Sequence, residues 1–181
     1  MPIVAFDSLP DSSRIWVFGS DQPVTRAGAE RLLGEVDRFL EEWRAHGEPL
    51  RCARLWSDNR FLVVGVDQST ANASGCSIDG LFRTLQELER EVGGRLVGGG
   101  RVYYRDHSGA AQCVSRAELD GLVASGEVGP DTVVFDTSIT DLGEWRARFE
   151  QPARKTWVGE LLAGGGRGSA GGGTATSPPS P

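Results

Sequence analysis

Lysine is nearly absent from this chain: Lys155 is the only one, and arginine supplies the rest of the 19 basic residues. A P-loop needs G-x-x-x-x-G-K-[ST], so that backbone amides and a lysine grip phosphates. No such loop surrounds Lys155, so on sequence grounds the chain is not an ATPase of that kind. Cysteine is scarce as well. Cys52, Cys76 and Cys113 are odd in number and far apart, which argues against a disulfide framework and fits a reducing compartment. With only two histidines, His46 and His107, they form no C-x-x-C or H-x-x-H pair, so no metal and no cofactor are expected. No apolar run approaches about twenty residues, and the N-terminus carries no basic-then-apolar leader. A soluble, cytoplasmic protein without a membrane partner is the expectation. The net charge is −6 and arginines alternate with acids along the helical stretches, so binding to nucleic acid by phosphate neutralisation is not expected.

What is present is enough for a core. Apolar residues make up 39% of the 181, with five tryptophans and seven phenylalanines. Residues 163–181 are almost wholly Gly, Ser, Ala, Thr and Pro, which cannot bury enough surface to offset their ordering entropy. They read as a disordered tail.

Residues 14–19 (Arg-Ile-Trp-Val-Phe-Gly) read as a strand rich in β-formers. Thr25 is the expected cap of a helix whose apolar stripe is Ala29, Leu32, Leu33, Val36, Phe39, Leu40 and Trp43. His46-Gly47 is the expected close of that helix. Residues 50–56 and 61–66 read as strands joined by Ser57-Asp58-Asn59-Arg60, a hairpin signal. A second helix carries Ile78, Leu81, Phe82, Leu85, Leu88 and Val92 on one face, and residues 101–105 form a further strand. The order strand–helix–strand–strand–helix–strand matches a ferredoxin-like βαββαβ unit. The remainder reads as a short strand to Val114, a helix capped by Ser115 and closed by Gly126, a strand at 132–135 and a helical piece at 142–149.

Residues 67–79 are where chemistry is concentrated. An apolar strand enters and an amphipathic helix leaves, and between them lie small, hydroxyl-bearing or amide residues ending in Cys76. A cysteine in the first turn of a helix feels the positive end of the dipole, and Asp67 or His46 can serve as a nearby base. That makes Cys76, His46 and Asp67 the candidate catalytic residues. Ser74, Gly75, Cys76, Ser77 and Asp79 are the candidate binding loop for a small polar group. The purely structural reading stands beside it. Small residues allow a tight turn, Cys76 packs as a small hydrophobe, Asp67 bonds the loop amides, and His46 meets carbonyls at a helix end.

Residues 101–145 resemble a bacterial GYF-like module, on Tyr103, Tyr104, Asp106 and Gly109, then Ser115 to Leu119, Leu122 to Gly126, Pro130 to Phe135 and a closing Trp145. They differ at Gln112-Cys113, where Gly-Pro is usual, and at Phe135, where tryptophan is common. GYF-type domains are small adaptors, some of which bind proline-rich peptides. The resemblance therefore implies a peptide surface made by Tyr103, Tyr104 and Trp145, and a protein or proline-rich peptide as partner. The alternative for those aromatics is a core role. The whole chain is also similar to a small bacterial family often catalogued as "ABC transporter ATPase", through residues 14–17, 43–47, 73–79 and 131–135; no activity is established for that family. The expected architecture is α+β. A ferredoxin-like unit (1–98) is followed by a GYF-like β-β-α-β unit with a helical extension (99–162) and the tail (163–181). The leading expectation is a non-enzymatic binding or adaptor protein, and the alternative is a small-ligand-binding or thiol-dependent enzyme using the Cys76 loop.

Overall fold

The computed structural model describes residues 3–45, 47–69 and 75–164. Its elements run β1 (Arg14–Gly19), α1 (Arg26–Glu42), β2 (Arg44–Ala45), β3 (Glu48–Pro49), β4 (Cys52–Ser57), β5 (Phe61–Val66), α2 (Gly75–Val92), β6 (Arg101–Arg105), β7 (Ala111–Ser115), α3 (Arg116–Ser125), β8 (Val133–Phe135), α4 (Leu142–Arg148), β9 (Glu150–Pro152) and α5 (Trp157–Gly164). The fold is α+β, with a three-stranded sheet in the order β1-β5-β4 and a four-stranded sheet in the order β7-β6-β8-β9, both antiparallel. Among the described residues no helix is long and apolar enough to cross a membrane.

β5 is the hub. Its sequence Phe-Leu-Val-Val-Gly-Val is apolar throughout, as a strand covered on both faces must be, and every residue of it is buried. Leu62, Val64 and Val66 face α1 and α2, meeting Leu32, Val36, Leu40, Leu81 and Leu85. Phe61 and Val63 face the other way, into a cluster with Tyr103, Phe135 and Phe149 of the second half. Beyond the second sheet, Val102, Tyr104 and Val134 pack on Leu119 of α3 and Val158 of α5. The layers therefore run helices, sheet, sheet, helices, and the two halves share their middle core.

Local chemistry accounts for the boundaries. The Thr25 hydroxyl accepts from the Gly28 N–H at 3.1 Å and starts α1. Ser115 and Glu118 form a reciprocal capping box on α3, and Gly126 ends it at φ 78°. The β4–β5 turn holds Asp58 and Asn59 at φ 54° and 52°, a left-handed pair that Asp and Asn tolerate, closed by the Arg60 N–H donating to the Ser57 carbonyl at 3.0 Å.

Three expectations are corrected. Among the described residues the ferredoxin-like sheet has no fourth strand, because β6 pairs with β7 on one edge and β8 on the other and is fully used in the second sheet. α1 ends at Glu42 rather than at His46-Gly47, because buried Trp43 turns the chain out of the helix; Gly47, at φ 88°, belongs to the β2–β3 connection. Residues 163 and 164 close α5 rather than open the tail. The rest of the tail and His46 lie outside the described residues.

Candidate functional site

Strand alternation puts the start of β1, the start of β4 and the end of β5 at one end of the first sheet, with Arg14 and Cys52 both opposite Val66. The chain leaves β5 there for the 67–79 stretch. Asp67 is buried, and its carboxylate accepts from the Ser69 N–H at 3.0 Å and from Arg51 Nη1 at 2.9 Å. Hydrogen bonds from Ser69, then the Arg51 guanidinium, hold its carboxyl below the usual carboxylate range. Asp67 is thus an engaged turn residue rather than a free base. α2 begins at Gly75, so Cys76 and Ser77 fall in its first turn and exposed Asp79 follows within the helix. Ser74 and the side chains of Cys76 and Ser77 lie outside the described part.

The aromatic trio does not form one surface. Tyr103 and Tyr104 are consecutive in β6 and point to opposite faces. Tyr103, 4% exposed, packs edge-on to Phe61, and its hydroxyl donates to the Gly19 carbonyl at 2.6 Å. Tyr104, 5% exposed, lies in the outer cluster with Leu119 and Val158. Trp145 stacks on Phe149 and meets Phe6 edge-on. An exposed peptide platform of Tyr103, Tyr104 and Trp145 is therefore corrected to two core tyrosines on opposite faces and a half-buried tryptophan packed against the central cluster. The signal was available: adjacent residues in a strand never share a face.

The other thiols are quiet. Cys52 is fully buried, its Sγ 3.6 Å from the Leu40 carbonyl, and burial pushes its thiol up to about 12. Burial also raises the Cys113 thiol. Among the described residues no cluster of three or more His, Cys, Asp or Glu could hold a metal. Iodoacetamide at about pH 7.5 is expected to leave Cys52 unmodified in the native chain and to label it fully after unfolding. Peptide mass mapping reads the same samples at Cys76. Labelling of Cys76 in the native state marks an accessible, dipole-activated thiol, and silence until unfolding marks a structural one.

The feature that sequence reasoning missed is the outer edge of β1. In the three-stranded sheet β1 is an edge strand, and its residues alternate between facing β5 and facing outward. The outward set is Ile15, Val17 and Gly19. The Ile15 N–H donates to the Thr140 carbonyl at 2.9 Å, and the Gly19 carbonyl takes the Tyr103 hydroxyl. Between these two bonds the Ile15 carbonyl, both main-chain groups of Val17 and the Gly19 N–H have no partner among the described residues. They border a cavity of about 530 Å³. Its walls include Trp16, Phe18 and Phe82 on the helix side and Tyr103 and Ile139 on the other. Residues 98–100, all glycine, also line it, and a Cβ added at Gly98 or Gly99 would meet nothing within 4 Å. Internal packing does not require glycine there. The opposite edge differs: the Val4 N–H donates to the Cys52 carbonyl of β4 at 2.9 Å, and half-buried Arg54 of β4 is locked to Asp37 by paired bonds of 2.8 and 2.7 Å, a charged guard of the kind that blunts sheet edges.

Comparison with protein-family models, with curated proteins and with solved structures finds no match for the chain.

Proposed function

We propose that this is a non-enzymatic binding or adaptor protein, and that the open edge of β1 is the surface that receives its partner. The observation that carries the reading is the row of unpaired main-chain groups at Ile15, Val17 and Gly19 beside an apolar-walled cavity. An extended segment laid along such an edge gains main-chain hydrogen bonds, while alternate side chains enter the walls. The GYF-like resemblance of residues 101–145 supports an adaptor role but not an aromatic platform, since Tyr103 and Tyr104 are buried. The thiol-enzyme alternative keeps only the sequence pattern around Cys76, and its candidate base Asp67 is held by Arg51 and Ser69.

The test is an NMR titration of the full chain with a dodecapeptide of four serines followed by alternating valine and threonine. The amides of Ile15, Val17 and Gly19 are expected to shift together, and the Val17→Pro variant to lose the response. Proline is tolerated on an edge strand whose N–H faces outward, so that variant should keep its fold. A peptide that leaves these amides unmoved, or moves those of Ile15 and Gly19 equally in Val17→Pro, removes the proposal. A proline-rich peptide run in parallel shows whether residues elsewhere respond instead.

A further inference from the structure

The β1 cavity does not end at the sheet edge. A second cavity, of about 400 Å³, shares Arg101, Thr137 and Ser138 with it. This neighbour is lined by Arg101, Arg148 and Lys155 against a single carboxylate, Asp136. Arg148 is spent on Asp136 and Glu144. Arg101 is left with only a 3.8 Å approach to Asp21, and Lys155 has no ion pair among the described residues. Trp157 stands at the same cavity, 42% exposed and the one large apolar side chain among the described residues that is so open. The Arg116 guanidinium sits 4.7 Å from its ring centre. In a chain of net charge −6, this is a local excess of cations beside an exposed aromatic.

We infer that the partner segment is acidic at its N-terminal side. The inference rests on the β1 reading and specifies its occupant: an extended peptide whose strand portion pairs antiparallel with β1 and whose leading acidic residues lie against Arg101 and Lys155. Antiparallel pairing is the mode of the whole sheet, and it lets one peptide residue opposite Val17 make both main-chain bonds. A segment antiparallel to β1 enters at the Gly19 end. That is the Arg101 end, because Arg101 lies beside Asp21, two residues past Gly19, and Tyr103 bonds Gly19 itself. Main-chain pairing supplies the hold, which is indifferent to sequence. The cationic end supplies the choice among strands, since opposed charges at an interface select partners more than they add affinity.

The experiment compares the serine-led dodecapeptide with one in which four glutamates replace the serines, by fluorescence anisotropy with the full chain. The glutamate peptide should bind about tenfold more tightly at low salt, with the gap closing as salt is raised. Arg101→Glu combined with Lys155→Glu should abolish or reverse that preference; both side chains are exposed, so the fold is not at stake. Equal binding of the two peptides, with β1 amides responding to both, overturns the acidic specificity and leaves the edge reading intact. Failure of both peptides to move the β1 amides overturns the edge reading itself. A chain ending at residue 164 completes the set. If that truncation alone shifts the β1 amides, the chain's own tail is the occupant and an acidic partner is ruled out.

Discussion

Phe61→Ala is expected to lower the free energy of unfolding by about 3–5 kcal/mol, the range for emptying a buried phenylalanine site. Phe61 has no exposed surface and sits within 5.1 Å of the Tyr103 ring, 4.7 Å of Phe135 and 5.3 Å of Phe149, centre to centre. Those neighbours belong to β6, β8 and the end of α4, so the ring is the contact through which the first sheet rests on the second. The cavity it leaves cannot collapse easily, because its walls are strands already paired on both sides. Phe61→Leu, which keeps most of the volume, should cost about 1.5 kcal/mol or less. The shared core also predicts cooperativity. Tryptophan fluorescence and far-UV circular dichroism should report one coincident urea transition in both the parent and the variant. A loss under about 1 kcal/mol, or two separated transitions, would show that the halves are stabilised independently.

Periodicity made the elements legible and left their partners hidden. The apolar run 61–66 announced a strand, and the stripes of α1 and α2 announced helices with one buried side, because each pattern is written within a single element. Which sheet receives β6 depends on whether β1 or β8 reaches its edge first, a choice between elements far apart in sequence. Nothing in Arg-Val-Tyr-Tyr-Arg records it. β9 escaped notice for another reason: Glu150–Pro152 is short and ends in proline, which an edge strand permits and a sequence pattern does not reveal. The β1 groove follows from the same ambiguity. Its existence is the absence of a strand beside Val17, so it could be seen only once β6 had been placed elsewhere. Lys155 and Trp157 were visible as an isolated cation and an isolated aromatic, but their meeting with Arg101 is purely tertiary.

Arg60→Met is expected to cost about 2–4 kcal/mol, through two carbonyls left without donors rather than through a lost ion pair. Arg60 is 3% exposed and has no carboxylate partner among the described residues. Its Nε donates to the Ala111 carbonyl at 2.9 Å and its Nη1 to the Ser20 carbonyl at 2.9 Å. One guanidinium thus ties the β4–β5 turn to β7 on one side and to the chain leaving β1 on the other. Methionine restores most of the apolar stem but none of the donors, so it isolates the hydrogen bonds from the packing. Relief of a buried charge works in the opposite direction, which is why the expected loss stays below that of the Phe61 cavity. Arg60→Lys is the discriminating companion. A single ammonium cannot reproduce a fork that bonds two separate carbonyls, so lysine should recover less than half of the loss. The measurement is the urea midpoint at unchanged slope, together with amide exchange, which should quicken first at Ala111 and its β7 neighbours. If methionine is tolerated within about 0.5 kcal/mol, water has replaced both donors and the turn is not held by Arg60.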